Sequence, residues 1–177
     1  MIEGTVRELI KLFQDHVEEN TVLSAGSIVE IAKLPVIVLN GPMVTETKRL
    51  MRDPERITVI DEESGKAVRE VPPRWYDLRF DVDITCSSSL ELIGLMEKCS
   101  RLNQAYPLLN AQEDGRERQY LWRWEKFPDA VTAPNISQVY QGRGGLIVYD
   151  VEICSGIREV WSLIEKIEIE VQRWKNA

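Results

Sequence analysis

Residues 74–86 read RWYDLRFDVDITC, and residues 87–109 continue SSSLELIGLMEKCSRLNQAYPLL. From residue 76 onward the even positions are apolar and the odd positions are mostly charged, which is an alternation with a period of two. This pattern predicts a long strand with one face in a core and the other in water. The apolar positions are Tyr76, Leu78, Phe80, Val82, Ile84 and Cys86.

A helix is predicted directly after this strand. Ser88, with Glu91 three residues later, has the spacing of a capping box, which satisfies the free backbone N–H groups of a first helical turn. The residues that follow repeat at helical spacing and form one apolar stripe. Its members are Leu92, Leu95, Cys99, Leu102 and Tyr106, widened by Ile93 and Met96.

Length and composition predict one globular domain over residues 1–177. The chain is 44% hydrophobic and 29% charged, which is ordinary for a domain large enough to bury a core. It has no run of about 18 apolar residues, so we expect no membrane-spanning helix. The N-terminus MIEGTVRELIKLF is amphipathic and lacks the features of a signal peptide.

Charge and cysteine content narrow the function classes. A net charge of −7 argues against a protein that grips nucleic acid through its phosphates. Cys86, Cys99 and Cys154 are odd in number and embedded in apolar patterns. Buried free thiols in a reducing cytoplasm are therefore favoured over a disulfide or a metal site.

The first half of the chain predicts one helix, two short strands and a hairpin. The helix covers residues 3–19, and Asn40-Gly41-Pro42 is expected to end the second strand. Residues 43–56 have no clean period and predict an exposed arm, either a loop or one short helix. The strands are expected at residues 28–31 and 36–39, and the hairpin at 57–61 and 67–71 with its turn at Ser64-Gly65. The hairpin either projects from the body or forms a simple sheet edge.

The second half predicts returning strands separated by irregular segments. Pro107 and the polar residues 110–118 read as a charged connection, and residues 127–144 as a long loop that hides at most a short strand near 136–140. Strands are expected at 120–124 and 146–154, the latter with its apolar face on Ile147, Tyr149, Val151 and Ile153. The tail fits a helix or a strand, and we favour a strand at 167–171. The predicted fold class is α+β, a single mixed or antiparallel sheet covered by two helices, with a projecting β-hairpin and long loops.

Asp81 and Asp83 are the best catalytic candidates, with Asp77 nearby. Residues two apart on a strand lie about 6.5 to 7 Å apart on one side, so two carboxylates can share a divalent cation. The alternative is that these residues solvate the polar face of the strand, and it is favoured because no third ligand is indicated. His16 and Glu19 form a weak metal-ligand pair, for which a histidine on the helix surface is the favoured interpretation.

Two short runs resemble chemical motifs without matching them. Gly142-Arg143-Gly144-Gly145 lacks the spacing of a phosphate-binding loop and precedes a strand, so a loop requiring positive φ is favoured. Ser87-Ser88-Ser89 has no G-x-S-x-G frame, and helix capping is favoured over a nucleophile.

A basic and aromatic set recurs between residues 116 and 143. Arg116, Arg118, Arg123 and Arg143 accompany Trp122, Trp124 and Tyr140, a combination that can stack single-stranded nucleic acid. Trp, Tyr and Arg are also enriched at the centres of protein–protein contacts. With five Trp in an acidic chain, a protein contact surface is favoured.

The stretch VPPRWYDLRFDVDITCSSSLELIGLMEKCSRLNQAYPLLN resembles the tail terminator (tail completion) proteins of long-tailed bacteriophages and related contractile injection systems. In that family a helix leads into strands, a long alternating strand runs into a second helix, and further strands return to the same sheet. The shared features are the opening helix, the PP-x-x-Y-D-L sequence at residues 72–78, and the helix that ends in Tyr106-Pro107-Leu108-Leu109.

The resemblance implies a structural virion protein without enzymatic activity or cofactor. Such proteins form a ring, usually a hexamer, that caps the tail tube, stops its polymerisation and joins it to the head-side connector or stopper protein. DNA passes through the lumen without specific binding, and no membrane is involved. The protein would be found in the host cytoplasm during assembly and then at the neck end of the virion tail.

Subunit contacts are expected in the 43–56 arm, the 57–71 hairpin, the 127–144 loop and the tail. The single residues chosen as interface candidates are Trp122, Trp124, Arg143, Trp161 and Trp174. The alternatives are another component of the head–tail neck, a metal-dependent enzyme using Asp81 and Asp83, and a nucleic-acid-binding module.

Overall fold

A computed structural model describes residues 2–24, 33–47, 57–61, 66–70, 73–113, 116–131, 139–153 and 158–162. The chain divides into two compact units, residues 1–46 with 75–151 and residues 47–74 with 152–177. The single domain expected over the whole chain stays a prediction. In chain order the elements are α1 (Ile2–His16), β1 (Thr21–Ser24), β2 (Val36–Glu46), β3 (Ile57–Asp61), β4 (Lys66–Glu70), β5 (Arg74–Cys86), α2 (Ser89–Ala105), β6 (Leu108–Glu113), β7 (Arg116–Ala130), β8 (Tyr140–Ile153) and β9 (Arg158–Ser162).

The first unit is built on a six-stranded sheet with the order β1-β2-β5-β8-β7-β6. β1 runs parallel to β2, whereas β2 with β5, β6 with β7, and β7 with β8 are antiparallel. The predicted class, an α+β fold with one mixed sheet and two helices, is therefore confirmed.

The strand and helix predicted from residues 74–109 are both present. Ser88 is the N-cap of α2, and its Oγ accepts a hydrogen bond of 3.2 Å from the backbone N–H of Glu91. The reciprocal bond of a capping box is displaced by one residue, because the Glu91 carboxylate accepts from the backbone N–H and the Oγ of Ser87, both at 2.9 Å. The start of α2 is thus held by two successive serines.

Both helices pack on the same face of this sheet. One core cluster combines Val6, Leu9 and Phe13 of α1 with the inward residues of α2 and of the strands. Trp122 and Phe13 are the largest fully buried side chains. Two members of the predicted α2 stripe lie outside the core, since Tyr106 is 42% exposed and Ile93 is 61% exposed. Among the described residues, no helix has the length and hydropathy needed to span a membrane.

β2 does not end at Asn40-Gly41-Pro42, and this prediction was wrong. The strand continues to Glu46, and the register shifts between Asn40 and Met43, as in a β-bulge. Gly41 makes the bulge possible because its φ is 145° and a Cβ there would lie 2.8 Å from the carbonyl oxygen of Arg79. Residues 43–46 of the predicted arm are therefore strand, and residues 28–31 and 48–56 lie outside the described residues.

The polar residues 110–113 form a strand rather than a connection. β6 pairs with β7 from Leu108↔Leu121 to Glu113↔Arg116 without a register shift. Leu109 and Ala111 are buried while Asn110 and Gln112 are exposed, so the polar composition conceals a period of two. Half of the predicted 127–144 loop is likewise strand, because β7 reaches Ala130 and β8 begins at Tyr140. Residues 132–138 lie outside the described part.

The apolar face predicted for β8 does not stay on one side of the sheet, although its members Ile147 and Val151 are both buried. Leu146 and Val148 belong to the core cluster, whereas Ile147 and Tyr149 do not. Asp150 has a positive φ of 53°, which interrupts the alternation, so Val151 returns to the core side. One left-handed residue therefore moves the apolar pattern from one face of the strand to the other.

The second unit contains a three-stranded antiparallel sheet with the order β3-β4-β9. The hairpin of β3 and β4 is as predicted, although its turn at Ser64-Gly65 lies outside the described residues. β9 was not predicted as such, because the tail fitted both a helix and a strand. The strand favoured at 167–171 lies outside the described residues, and projection of the hairpin stays a prediction.

Candidate interaction surface

The face of the six-stranded sheet that points away from the helices carries the odd-numbered residues of β5. Leu78, Phe80 and Val82 point into the core, so alternation places Arg79, Asp81 and Asp83 on the opposite face. Val38 of β2 and Ile147 of β8 pair with Asp83 and Arg123, respectively, and so share this face. This second face is a candidate for function because it holds both catalytic candidates and Arg143.

Asp83 is already engaged by two neighbouring strands. Its Oδ1 forms a 3.0 Å ion pair with Nε of Arg143, and its Oδ2 accepts a 2.8 Å hydrogen bond from Nδ2 of Asn40. The side chains of Arg143 and Asp83 are 64% and 38% exposed, so water screens the pair and its contribution to stability is small. No group of three or more metal-ligating side chains occurs among the described residues. The arrangement favours a polar strand face over a metal centre at Asp81 and Asp83.

Three other charged side chains on this face also have partners on neighbouring strands or residues. Nη1 of Arg79 lies 3.7 Å from Oε1 of Glu125, and the guanidinium of Arg123 lies 5.2 Å above the ring of Tyr149. Oδ1 of Asp77 accepts a 3.2 Å hydrogen bond from the backbone N–H of Asp150. Among the described residues, positive side chains on this face are interspersed with negative ones and do not form the continuous positive stripe that a nucleic-acid groove requires.

The glycine run at residues 142–145 lies within β8 and is not a loop. Positive φ does not explain it, since the positive-φ glycine among the described residues is Gly41. A Cβ on Gly144 would lie 2.8 Å from both the carbonyl oxygen of Lys126 and the backbone nitrogen of Pro128. A Cβ on Gly142 would lie 3.1 Å from Cδ1 of Leu92. The glycines therefore permit close approach of β7 and α2 to β8.

Trp122 and Trp124 belong to the core side of β7. Trp122 is fully buried, and its Nε1 donates a 2.7 Å hydrogen bond to the carbonyl oxygen of Tyr106. The ring of Trp124 packs against the core and lies 6.0 Å from the rings of Phe13 and Trp122. The side chain of Trp122 is thus buried among the described residues, and its interface role stays a prediction. The sequence around Trp122 and Trp124 could not show that these rings face the core, because the helix that covers them, α1, is distant in the chain.

The other interface candidates stay predictions. Arg143 is exposed but already paired with Asp83. Trp161 lies in β9, opposite Ala67 of β4, and Trp174 lies outside the described residues.

His16 is a surface residue at the end of α1, as the favoured interpretation predicted. Its ring stacks on that of Tyr106 with centroids 4.4 Å apart. Glu19 instead faces Lys33, whose Nζ lies 3.7 Å from its Oε1. The two residues of the H-x-x-E pair therefore contact different partners.

Cys86 and Cys99 are buried free thiols, as predicted. Burial raises the pKa of the Cys86 thiol to about 11, and the carboxylates of Glu91 and Glu18 act in the same direction. Burial raises the pKa of the Cys99 thiol to about 12. Neither thiol has the depressed pKa of a nucleophile. Cys154 lies outside the described residues.

Several exposed apolar side chains were missed by the sequence analysis. Leu90 and Ile93, one helical turn apart on α2, are 80% and 61% exposed. Leu108 of β6 and Leu121 of β7 are directly paired and are 45% and 39% exposed. Ile93 was counted with the widened apolar stripe of α2, and Leu90 falls beside that stripe. The signal for Leu108 was hidden because residues 110–118 were interpreted as a connection.

Comparisons with known proteins add a resemblance in structure. No protein-family model matches the chain, and no curated protein matches it. One solved structure with a similar fold is a chain described as "Virion of native gene transfer agent (GTA) particle". The similarity covers 84% of this chain and 92% of that chain, with a TM-score of 0.44 and 8% sequence identity. At these values the similarity supports no conclusion about function.

Proposed function

We propose that the chain is a structural virion assembly protein of the tail terminator type. In this role, copies form a ring, expected to be a hexamer, that caps the tail tube, ends its polymerisation and joins it to the head-side connector. The protein performs no reaction and needs no cofactor. It would act in the host cytoplasm during assembly and then remain at the neck end of the virion tail.

The order of the elements carries this proposal. A helix, α1, leads into strands, and the long strand β5 runs through the Ser87-Ser88 cap into α2. The strands β6, β7 and β8 then return to the sheet that contains β5. This is the sequence of elements on which the resemblance to tail terminators was based.

The surface chemistry supports a role in contacts rather than in catalysis. Asp83 on β5 is used in an ion pair and a hydrogen bond, and the exposed apolar pair Leu90 and Ile93 is unexplained by packing within the described residues. Neighbouring exposed apolar side chains are compatible with a contact site. A ring also requires head-to-tail contacts that close around an axis, so two different surfaces of each copy must be complementary.

The acidic balance fits passage of DNA through such a ring. A net charge of −7 disfavours condensation of phosphates on the protein surface. DNA can therefore pass the lumen without being held there.

The oligomeric state tests this proposal. We expect light scattering and negative-stain images to show closed rings, either for the chain alone or after a tail tube protein is added. The variant Leu90→Lys/Ile93→Lys should weaken ring formation if these side chains lie in a contact. The control Glu97→Ala/Arg101→Ala changes an exposed ion pair on the same helix without changing net charge. Monomers alone, even with the tube protein present, would refute the proposal.

A further inference from the structure

The outer edge of β6 has the features of a strand that accepts another strand. β6 pairs with β7 over six residues without a bulge, and it is the last strand of the sheet among the described residues. The strand reads LLNAQE and contains no lysine and no proline, the residues that usually protect an edge. On the face toward which Leu109 and Ala111 point, α1 covers β6.

The hydrogen-bond pattern shows which backbone groups of β6 face outward. The N–H of Trp122 donates a 3.2 Å hydrogen bond to the carbonyl oxygen of Pro107, so these two opposite residues form a hydrogen-bonded pair. In an antiparallel ladder such pairs alternate with pairs that exchange no bond. The backbone groups of Leu108, Asn110 and Gln112 therefore point away from β7, and the side chains of all three are exposed.

We propose that two copies of this chain pair through β6, antiparallel, about a two-fold axis at Asn110. The three outward residues are two positions apart, so this axis places Asn110 opposite Asn110 and Leu108 opposite Gln112 of the second copy. All the outward N–H and C=O groups then find partners at once. The edge is self-complementary, which is what a two-fold contact requires.

The side chains on β6 are compatible with this pairing. Glu113 is the only charged residue of the strand, and by the same register it does not face another charge across the axis. The exposed pair of Leu108 and Leu121 lies beside the new contact and gains apolar cover from the second copy. The contact is two-fold, so it is separate from the head-to-tail contacts that close a ring, and it is independent of the function proposed above.

The test uses charge at the axis. In Asn110→Lys the two introduced lysines face each other, and like charges directly opposite destabilise a strand pair. We expect the dissociation constant of the dimer, measured by analytical ultracentrifugation, to rise about tenfold or more. Asn110→Asp should have the same effect. Mixing the two variants should restore a dimer of one copy of each, because the opposing charges now attract.

The matched control is Gln119→Lys. Gln119 pairs with Asn110 and is exposed, so the substitution adds the same charge to the neighbouring strand. Its counterpart in the dimer lies three strand spacings away, about 14 Å, where salt screens the repulsion. Gln119→Lys should therefore remain dimeric.

A cross-link locates the axis independently. The Cα atoms of a hydrogen-bonded antiparallel pair lie about 5.5 Å apart, which is within the range of a disulfide. Asn110→Cys should form a covalent dimer on mild oxidation, and Gln119→Cys should not. The proposal is overturned if the folded chain is monomeric at high concentration, if the two charge variants keep the wild-type affinity, or if mixing them restores nothing. Rings that form with tube protein, while the chain alone stays monomeric at high concentration, would overturn the β6 pairing and leave the proposed function intact.

Discussion

At the scale of single residues, two glycines show that the effect of adding a Cβ atom depends on the space around the Cα atom. Gly144 lies where β7 approaches β8, and a Cβ there would meet the backbone of Lys126 and Pro128 at 2.8 Å. Gly94 lies in α2, and a Cβ there would meet nothing within 4 Å. The same substitution should therefore have opposite effects at the two positions.

We expect Gly144→Ala to lower the free energy of unfolding by about 1–3 kcal/mol, because backbone atoms must shift to admit the methyl group. Gly94→Ala is the matched control and should raise it by about 0.5–1 kcal/mol, since alanine is the better helix former. Urea denaturation of the two variants provides the measurement. A neutral or stabilising Gly144→Ala would contradict the close approach of β7 and β8.

The buried thiols make stability depend on pH in the alkaline range. Burial raises the thiol pKa from its ordinary value of 9.0 to about 11 for Cys86 and about 12 for Cys99 in the folded chain. Above pH 9 the unfolded chain loses these protons while the folded chain keeps them. The stabilisation is therefore complete below pH 9 and is lost as the pH rises toward 11–12.

We expect the free energy of unfolding to fall above pH 9 by up to about 1.4 kcal/mol per pH unit for each thiol. The slope should be shallower in Cys86→Ala and in Cys99→Ala, whatever their stability at neutral pH. Denaturant titrations at several pH values measure the slope. Equal slopes in the wild type and both variants would show that these thiols titrate normally in the folded chain.

At the scale of elements, the start of α2 depends on one hydroxyl group. Ser88 Oγ accepts from the N–H of Glu91, which would otherwise lack a partner in the first turn. Ser88→Ala should cost about 1 kcal/mol of stability. Ser89→Ala, one position further along and already inside the helix, should change stability by less than about 0.5 kcal/mol. Equal effects in chemical denaturation would mean that Ser88 is not the cap.

The same elements show what the sequence could reveal. β5 and α2 were predictable because their periodicity is local and uninterrupted over residues 74–105. β6 and most of β7 were missed because their proline and polar residues are typical of a connection. The alternation of buried and exposed residues in these two strands becomes visible only when the strands are paired with each other. The apolar face predicted for β8 is divided at Asp150, because that residue adopts a positive φ that the sequence does not indicate, and Val151 therefore lies on the core side while Ile147 does not.

The candidate surface was less predictable than the fold. Trp122 has the chemistry of a contact residue, yet it fills the core because α1 and α2 both pack on its side of the sheet. Asp83 has the chemistry of a metal ligand, yet its carboxylate forms an ion pair with Arg143 and accepts a hydrogen bond from Asn40, both on neighbouring strands. In both cases the deciding partner is distant in the chain, so local pattern could not supply it.

At the scale of the whole molecule, assembly is the central question. The element order supports a tail terminator, the surface offers apolar side chains on α2 and at the β6 edge, and the chain carries a net charge of −7. A terminator is defined by what it does to a growing tube, and that property is separate from any binding to tube protein in solution. Tube length is therefore the most direct readout.

The decisive measurement is the length distribution of tail tubes assembled from purified tube protein in the presence of increasing amounts of this chain, recorded by electron microscopy. We expect shorter tubes as the chain is added, each with a ring of extra density at one end only. Tubes of unchanged length with bare ends, at concentrations where the chain is folded and in excess, would contradict the proposed function.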